Sequence, residues 1–221
     1  MVSVRKFACL AASLKHGGFC YAGKDIETGE WVRPISSSDG HAISAYYRVV
    51  GKGDPAKVGD VLSMKLGAHL GEGYQTENYA HIEEHWKRIG TFGFEETRAM
   101  ADSPSALWSD GRSTKHGIHD EISEDQAHEH DFSLCLIEVE DLTIWHADEG
   151  YDNVSMRVRA DFTYRGVRYR LRVTDPTHFE YAPGKHEIGH ALLCCSLAEP
   201  FEWEDGSRHV SKLVAAILTP D

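Results

Sequence analysis

Residues 186–190 carry the sharpest chemical signature in this sequence. His186-Glu187-Ile188-Gly189-His190 fits the pattern H-E-x-x-H, in which a helix places two zinc-binding imidazoles and a glutamate base around one metal ion. The neighbouring residues favour a strand, because Pro183-Gly184 opposes a helix and the apolar run HALLCCSL stops before Pro200. On a strand the two imidazoles would lie about 13 Å apart, too far for one zinc ion. We therefore expect no metal at this motif.

A second group of histidines occupies a polar loop in the middle of the chain. These residues are His116, His119, His128 and His130. With Asp120 or Asp131 they could ligate a metal, but no cysteine joins them, and 14 histidines in 221 residues make chance clusters common. The sequence alone does not decide whether this loop binds a metal.

The chain contains no P-loop, dinucleotide fingerprint or nucleophile elbow, so we expect no cofactor and assign no catalytic residue.

Arginines recur at alternate positions between residues 157 and 172. The candidate nucleic-acid-binding residues of this stripe are Arg157, Arg159, Arg168, Arg170 and Arg172. The segment holds six arginines and one aspartate, so the rest of the chain, from a total of −12, carries −17. Guanidinium groups bind phosphate in bidentate geometry and could follow a nucleic-acid backbone. The alternative is a solvated face paired with carboxylates such as Glu138 and Glu140, although like charges facing each other across strands cost stability.

A predicted β-hairpin positions this arginine stripe. Its apolar face comprises Val154, Met156, Val158, Ala160, Phe162 and Tyr164 before a turn, and Val167, Tyr169, Leu171 and Val173 after it. The turn falls at Arg165-Gly166. Strict alternation of apolar and charged residues predicts a sheet with one buried face and one solvent face.

The rest of the chain shows a similar organisation. Short apolar runs separated by Gly, Asp and Ser predict strands at both ends. In the middle, HIEEHWKRIG and FEETRAMAD predict short helices. We therefore predict a mainly β chain with a helical and loop insert (α+β), divided into an N-terminal module at 1–78, an insert at 79–131 and a C-terminal module at 132–221.

Composition limits the class of protein. The chain is 41% hydrophobic and 26% charged, as expected for a soluble globular protein. A net charge of −12 argues against indiscriminate coating of nucleic acid or anionic membrane, yet it permits a local basic site. Five cysteines without a C-x-x-C pair indicate a reducing setting. No apolar run reaches the roughly 20 residues of a membrane span, so we expect a cytoplasmic protein without membrane contact.

Several segments together point to a known family. CLAASLKHGGFCYAGKDIETGEWVRPIS, YQTEN, VTDP and CSLAEPFEWEDGSRHVSKLVAAIL follow one another between Cys9 and Leu218. In this order they resemble the dual OB-containing domain family. The resemblance implies two OB-like β-barrel modules in one compact unit and a role in handling nucleic acid or nucleotides, in a bacterial defence or mobile-element setting. It implies no established reaction.

The resemblance also marks polar motif positions. They are Lys15, His16, Gly17, Gly18, Trp31, Arg33, Pro34, Gln75, Glu77, Asn78, Asp175, Pro176, Ser196 and Lys212, whereas Ala198 stands where the family favours glycine. Lys15 beside two glycines could seat an anion, and Trp31 with Arg33 could stack on a base. The amide and carboxylate groups at 75–78 could bind base edges. A hairpin turn, a core tryptophan and loop caps are the structural alternatives.

Three hypotheses follow for function. The favoured one is a nucleic-acid or nucleotide-binding protein, with the arginine stripe supplying charge and the motif residues forming a selective pocket. The alternative is an enzyme acting on nucleotides or nucleic acid, in which Lys15 and Arg33 hold phosphate while Glu77 and Asp175 act as base or metal ligand. A third is an interaction or sensor subunit whose acidic surface binds a protein partner.

Overall fold

The protein is mostly β, with 56% of residues in strands and 6% in helices, which confirms the predicted fold class. The structure is a computed structural model that describes residues 2–15, 18–36, 42–51, 53–150 and 155–220. The chain divides into two compact units, Met1–Met100 and Ala101–Asp221. The segment boundaries expected after residues 78 and 131 stay a prediction. Among the described residues, no helix has the length and apolar character needed to span a membrane.

The first unit contains a closed barrel. Its strands are β1 (Ser3–Lys15), β2 (Gly18–Asp25), β3 (Trp31–Ile35), β4 (Val49–Val50), β5 (Asp54–Pro55), β6 (Asp60–His69), β7 (Asn78–His81) and β8 (Lys87–Thr91), followed by helix α1 (Phe94–Arg98). The main sheet has the order β1-β2-β3-β7-β6-β8, and β1 also pairs with β6. Five strands therefore form a ring, with β8 attached outside it and β4 and β5 forming a separate ladder.

Alternating apolar residues fill this first barrel. Phe7 and Cys9 of β1, Tyr21 of β2 and Val32 of β3 belong to one buried cluster. The strands must curve tightly to close around it, and β1 is irregular between Cys9 and Ala11. Nearby, a side chain at Gly23 would overlap the carbonyl oxygen of Ala8, so glycine permits the close approach of β1 and β2.

The second unit contains the remaining elements. They are β9 (Glu121–Ser123), α2 (Glu124–His128), β10 (Leu134–Glu149), β11 (Ser155–Tyr164), β12 (Val167–Val173), a 3₁₀ turn (Pro176–His178), β13 (Gly184–Leu197), β14 (Phe201–Glu202) and β15 (Arg208–Leu218). The sheet has the order β12-β11-β10-β13-β15-β14, with β9 also paired to β15. A parallel pairing between β12 and β15 closes the strands β12, β11, β10, β13 and β15 into a ring.

Both units repeat one strand topology. The ring strands in chain order are β1, β2, β3, β6 and β7 in the first unit, and β10, β11, β12, β13 and β15 in the second. In each ring the third strand lies between the second and the fifth, and the third and fifth strands are parallel. The OB fold is a five-stranded Greek-key barrel of this kind, so the predicted OB-like modules are confirmed.

The predicted hairpin is present as β11 and β12. Arg165 and Gly166 form the turn with φ values of 52° and 82°, as a two-residue hairpin loop of the primed type requires. The predicted apolar face is buried from Val158 to Tyr164 and again at Tyr169. Met156 is an exception with 42% exposure, because it lies at the start of β11 near the barrel rim. Val154 lies outside the described residues.

One predicted helix is absent. The segment HIEEHWKRIG does not form a helix, since β7 ends at His81 and β8 begins at Lys87. Trp86, between these strands, is buried in the first barrel core and donates its Nε1 proton to His81 Nε2 at 2.9 Å. Burial of this large ring outweighs the local helical preference of the glutamates. The second predicted helix is confirmed as α1.

Candidate nucleic-acid interface

The arginines of the hairpin lie on the outer side of the second barrel. The pairing of β11 with β12 places Arg159 opposite Arg172 and Asp161 opposite Arg170. The pairing of β10 with β11 places Trp145 opposite Arg159. Residues directly opposite each other in antiparallel strands share a face. We call this surface the arginine face; its members are Trp145, Arg157, Arg159, Asp161, Arg168, Arg170 and Arg172.

Arg159 is the neutralised member of the arginine face, and its side chain is only 11% exposed. Its Nε and Nη2 donate to the two carboxylate oxygens of Glu149 at 2.7 and 2.9 Å, and its Nη1 donates to Asp120 at 3.0 Å. Burial acts to raise the pKa of Glu149, but the hydrogen bonds and charge of Arg159 bring that pKa below its usual value. With its donors occupied, Arg159 holds the sheet together and has little capacity for a ligand.

Arg168 and Arg170 share one carboxylate. Arg168 donates to both oxygens of Asp161 at 2.8 Å, and Arg170 Nε donates to the same group at 2.8 Å. Burial acts to raise the pKa of Asp161, yet the two guanidinium groups lower it below the usual value. Two cations against one carboxylate leave a positive charge in excess, and the Arg168 side chain remains 58% exposed.

Arg157 and Arg172 form no ion pair with any residue that the structure describes. Arg172 is exposed, and it lies directly opposite Arg159. Desolvation and the positive charges of Arg157 and Arg159 lower the pKa of Arg172. Like charges in this arrangement repel, and a bound anion would relieve the repulsion.

The carboxylates that the alternative interpretation assigned to the stripe have a different partner. Glu138 and Glu140 form ion pairs with His190 instead. The cause is strand register, because Glu138 of β10 is paired with Leu192 of β13. The arginine face relies on Asp120, Glu149 and Asp161, and therefore keeps more positive than paired negative charge.

Trp145 is the functional candidate that sequence analysis missed. The guanidinium carbon of Arg170 lies 5.3 Å from the centre of the Trp145 ring, within cation–π range. The ring is partly exposed, and its buried Nε1–H finds no hydrogen-bond partner among the described residues. An aromatic ring flanked by cations is a typical platform for a stacked base. The alternation of Trp145 with buried Ile144 and His146 was the available sequence signal.

The first unit brings several motif residues together in what we call the Arg33 network. Parallel pairing of β3 with β7 places Arg33 beside Asn78. Arg33 Nε donates to Asn78 Oδ1 at 2.6 Å, and Arg33 Nη2 lies 3.7 Å from Glu77 Oε2. Asn78 in turn donates to Gln75 Oε1 at 3.4 Å. Arg33, Glu77 and Asn78 are all buried, so this network is preorganised.

The remaining motif positions of the first unit are described only in part. Trp31 lies two residues before Arg33 on β3, and Lys24 Nζ lies 5.3 Å from its ring centre. Gly18 pairs with the backbone of Lys15 at the β1–β2 turn. His16, Gly17 and the side chain of Lys15 lie outside the described residues. The anion seat at this turn therefore stays a prediction.

Asp175 and Lys212 have structural contacts in the second unit. Asp175 accepts hydrogen bonds from Thr177 and from the backbone N–H of Ile217, and so caps the 3₁₀ turn. Lys212 is fully buried and donates to the carbonyl oxygen of Ser109 at 2.7 Å. Burial lowers the pKa of Lys212 to about 8. The catalytic site of Lys15, Arg33, Glu77 and Asp175 stays a prediction.

The histidine motifs do not form the helical zinc arrangement. His186 and His190 lie on β13, as the prolines and apolar run predicted. His186 Nε2 contacts the carbonyl oxygen of Ala182 at 2.7 Å, whereas His190 Nε2 contacts Glu138 at the same distance. The two imidazoles thus have separate partners, and the zinc-hydrolase interpretation fails on geometry.

The loop histidines contact different elements. His119 Nδ1 lies 3.2 Å from the carbonyl oxygen of Arg168, on the edge of the arginine face. His130 Nε2 lies 3.1 Å from the hydroxyl of Ser109. Burial lowers the pKa of His130, which favours its neutral form.

The sequence matches the model of a known protein family. The model of the dual OB-containing domain matches residues 5–217, nearly the whole chain. No curated protein and no solved structure matches the sequence.

Proposed function

Because the chain belongs to the dual OB-containing domain family, we propose that it binds single-stranded nucleic acid through the arginine face. OB barrels bind oligonucleotides on the face formed by their second and third strands. In the second unit these strands are β11 and β12, which carry the arginines. The observation that carries the proposal is the pair Arg157 and Arg172, without an ion pair in the described structure, beside the Arg170-capped ring of Trp145.

The charge balance of the face supports binding to a phosphate backbone. Desolvation and the repulsion from Arg157 and Arg159 lower the pKa of Arg172, and phosphates placed near Arg157 and Arg172 would relieve the repulsion. Each phosphate contact also releases counterions, so affinity should fall as salt rises. Since the chain as a whole carries −12, a polyanion is repelled elsewhere and binding is confined to this face.

The Arg33 network fits a different part of the same function. Arg33 and Asn78 hold each other through a hydrogen bond of 2.6 Å, and Trp31 lies on the same strand as Arg33. Fixed polar groups beside an aromatic ring suit recognition of one base or nucleotide, since their geometry selects rather than merely attracts. We assign this selective role to Trp31, Arg33 and Asn78 with the turn at Lys15, and we place the protein in the bacterial cytoplasm, in defence or mobile-element biology.

The test is binding of labelled single strands of about 20 nucleotides, longer than one OB barrel covers. Wild-type protein should bind DNA or RNA single strands at roughly 50 mM salt, with duplex binding more weakly. Arg157→Gln with Arg172→Gln should weaken binding by about tenfold or more.

Arg208→Gln is the matched control, because Arg208 is an exposed arginine of the same unit whose partner is Glu124 at 3.0 Å. It should change affinity by less than about twofold. Absence of wild-type binding at low salt, or an equal loss in Arg208→Gln, would remove the proposal.

A further inference from the structure

Three potential metal ligands, none of them a member of the arginine face, converge in the second unit. The ligand atoms of Glu138, Glu140 and His190 all lie within 4.8 Å of one another. Two come from β10 and one from β13. A cluster that mixes an imidazole with two carboxylates is a donor set that first-row divalent cations accept.

A β-bulge creates this convergence. Val139 pairs with Ala191 and Leu142 pairs with Gly189, so two residues of β10 face only His190 on β13. Gly189 adopts a φ of 84°, which lets the strand turn at this point. Because Glu138 and Glu140 are two residues apart, both project on the side of His190. Bulges of this kind commonly redirect side chains toward functional sites.

The distances suit a metal ion. His190 Nε2 lies 2.7 Å from Glu138 Oε1 and 3.8 Å from Glu140 Oε1. Metal bonds of about 2.0–2.2 Å place neighbouring ligand atoms about 3.0–3.4 Å apart. To bind a cation, the distance from His190 to Glu138 must lengthen slightly and the distance from His190 to Glu140 must shorten. The Glu140 side chain is 77% exposed and can rotate without disturbing the core.

A groove opens beside the two glutamate ligands. It has a volume of about 630 Å³ and is lined by Glu138, Glu140, Asp102, Asp141 and Arg165, among others. Asp102 accepts the backbone N–H of Leu136, and Asp141 that of Thr163, so both carboxylates are fixed at the groove wall. The four carboxylates of the lining outweigh the single charge of Arg165, so the groove is net negative and attracts a cation. The open space leaves room for water molecules to complete its coordination.

From this geometry we infer that Glu138, Glu140 and His190 bind one divalent cation of the Mn²⁺ or Zn²⁺ type at the groove. This site differs from the H-E-x-x-H interpretation, because it uses only the second histidine of that motif. His186 contacts the carbonyl oxygen of Ala182 instead. Mg²⁺ and Ca²⁺, which prefer all-oxygen ligands, should bind more weakly.

The test is titration of metal-free protein with Mn²⁺, followed by the loss of the electron paramagnetic resonance signal of free Mn²⁺. One equivalent should bind, and saturating metal should raise the melting temperature. Glu140→Gln should bind at least about tenfold more weakly while keeping the fold, and His190→Gln should lose binding. No nucleic acid is present, so the result is independent of the proposed interface.

Two matched controls keep the result specific. His186→Ala removes the other histidine of the motif, and Glu187→Gln removes an exposed carboxylate of the same strand that pairs with Lys185. Both should bind one equivalent of Mn²⁺ as the wild type does. The inference fails if wild-type protein binds no metal, if Glu140→Gln binds equally well, or if His186→Ala loses the site.

Discussion

The two barrels use arginine on corresponding strands in opposite ways. In the first unit, Arg33 on the third ring strand is buried and held by Asn78 and Glu77. In the second unit, Arg172 on the third ring strand is exposed and faces Arg159. The difference shows that strand topology alone does not set the role of this position. The residue on the neighbouring strand decides whether the guanidinium group is held in a buried network, as Arg33 is, or exposed beside a like charge, as Arg172 is.

The largest expected effect comes from replacing Arg33, the buried arginine of this comparison. Arg33→Ala leaves the buried carboxylate of Glu77 without the guanidinium group beside it, and should lower the free energy of unfolding by about 3 kcal/mol. Urea denaturation measures the change. Arg98→Ala, an exposed arginine of the same unit paired with Glu95, should change it by less than about 0.5 kcal/mol. A loss below about 1 kcal/mol for Arg33→Ala would show that the network is not structural.

The barrels also differ in their interiors, where the second holds the cation of Lys212. The folded protein releases this proton near pH 8, whereas the unfolded chain keeps it up to about pH 10.5. Between these values the unfolded state binds more protons, so the free energy of unfolding should rise with pH. Over this pH range, the difference in free energy of unfolding between the wild type and Lys212→Met should grow by on the order of 2–3 kcal/mol in favour of the wild type.

Urea denaturation at several pH values from 7 to 10.5 measures this difference, with Lys65→Met as an exposed control in the first unit. The comparison between variants removes the contribution of tyrosines and cysteines that titrate in the same range. A constant difference across the window would show that Lys212 keeps an ordinary pKa in the folded protein.

A smaller effect separates two arginines that face each other in the second barrel. Arg159→Gln removes the bidentate partner of Glu149 and should lower the free energy of unfolding by about 2 kcal/mol. Arg172→Gln removes the repulsion from Arg157 and Arg159, which outweighs the attraction to Glu149, and should leave stability unchanged or raise it by about 0.5 kcal/mol. Thermal denaturation of the two variants compares them directly. Equal losses would mean that Arg172 has a structural partner after all.

Trp145 tests whether the exposed face is a binding surface. Trp145→Ala should weaken single-strand binding by about 1–2 kcal/mol, the value of one stacked base, with little change in the salt dependence. Trp145→Phe should recover much of the affinity, because a smaller ring still stacks. Fluorescence anisotropy at fixed salt measures both variants. A variant Trp145→Ala that binds like the wild type would confine the interface to electrostatic contacts.

The sequence predicted the strands and turns better than it predicted which strands and side chains contact each other. The alternation of apolar residues from Val158 to Tyr164 predicted which face of β11 is buried, because successive side chains of a strand point to opposite faces of the sheet. The segment containing Trp86 misled the prediction, since the burial of that ring in the barrel is a tertiary effect. Arg165-Gly166 was recognisable as a turn from the glycine and its place between two alternating runs.

The candidate site needed information that the sequence does not contain. Arg33 and Asn78 were both marked by the family resemblance, but their contact depends on the parallel pairing of β3 with β7. Trp145 joins the arginines only through the register of β10 with β11. The meeting of His190 with Glu138 depends likewise on the bulge between β10 and β13. Sequence analysis missed these contacts because they depend on the register between strands that lie far apart in the sequence.

The most direct test of the central claim is the salt dependence of single-strand binding. The logarithm of the affinity should fall linearly with the logarithm of the salt concentration, and Arg157→Gln with Arg172→Gln should reduce the slope by about 1.4, or about 0.7 for each lost phosphate contact. Arg208→Gln should keep the wild-type slope, because Arg208 lies outside the arginine face and is paired with Glu124. An unchanged slope in the double variant would contradict the assignment of this face to nucleic acid.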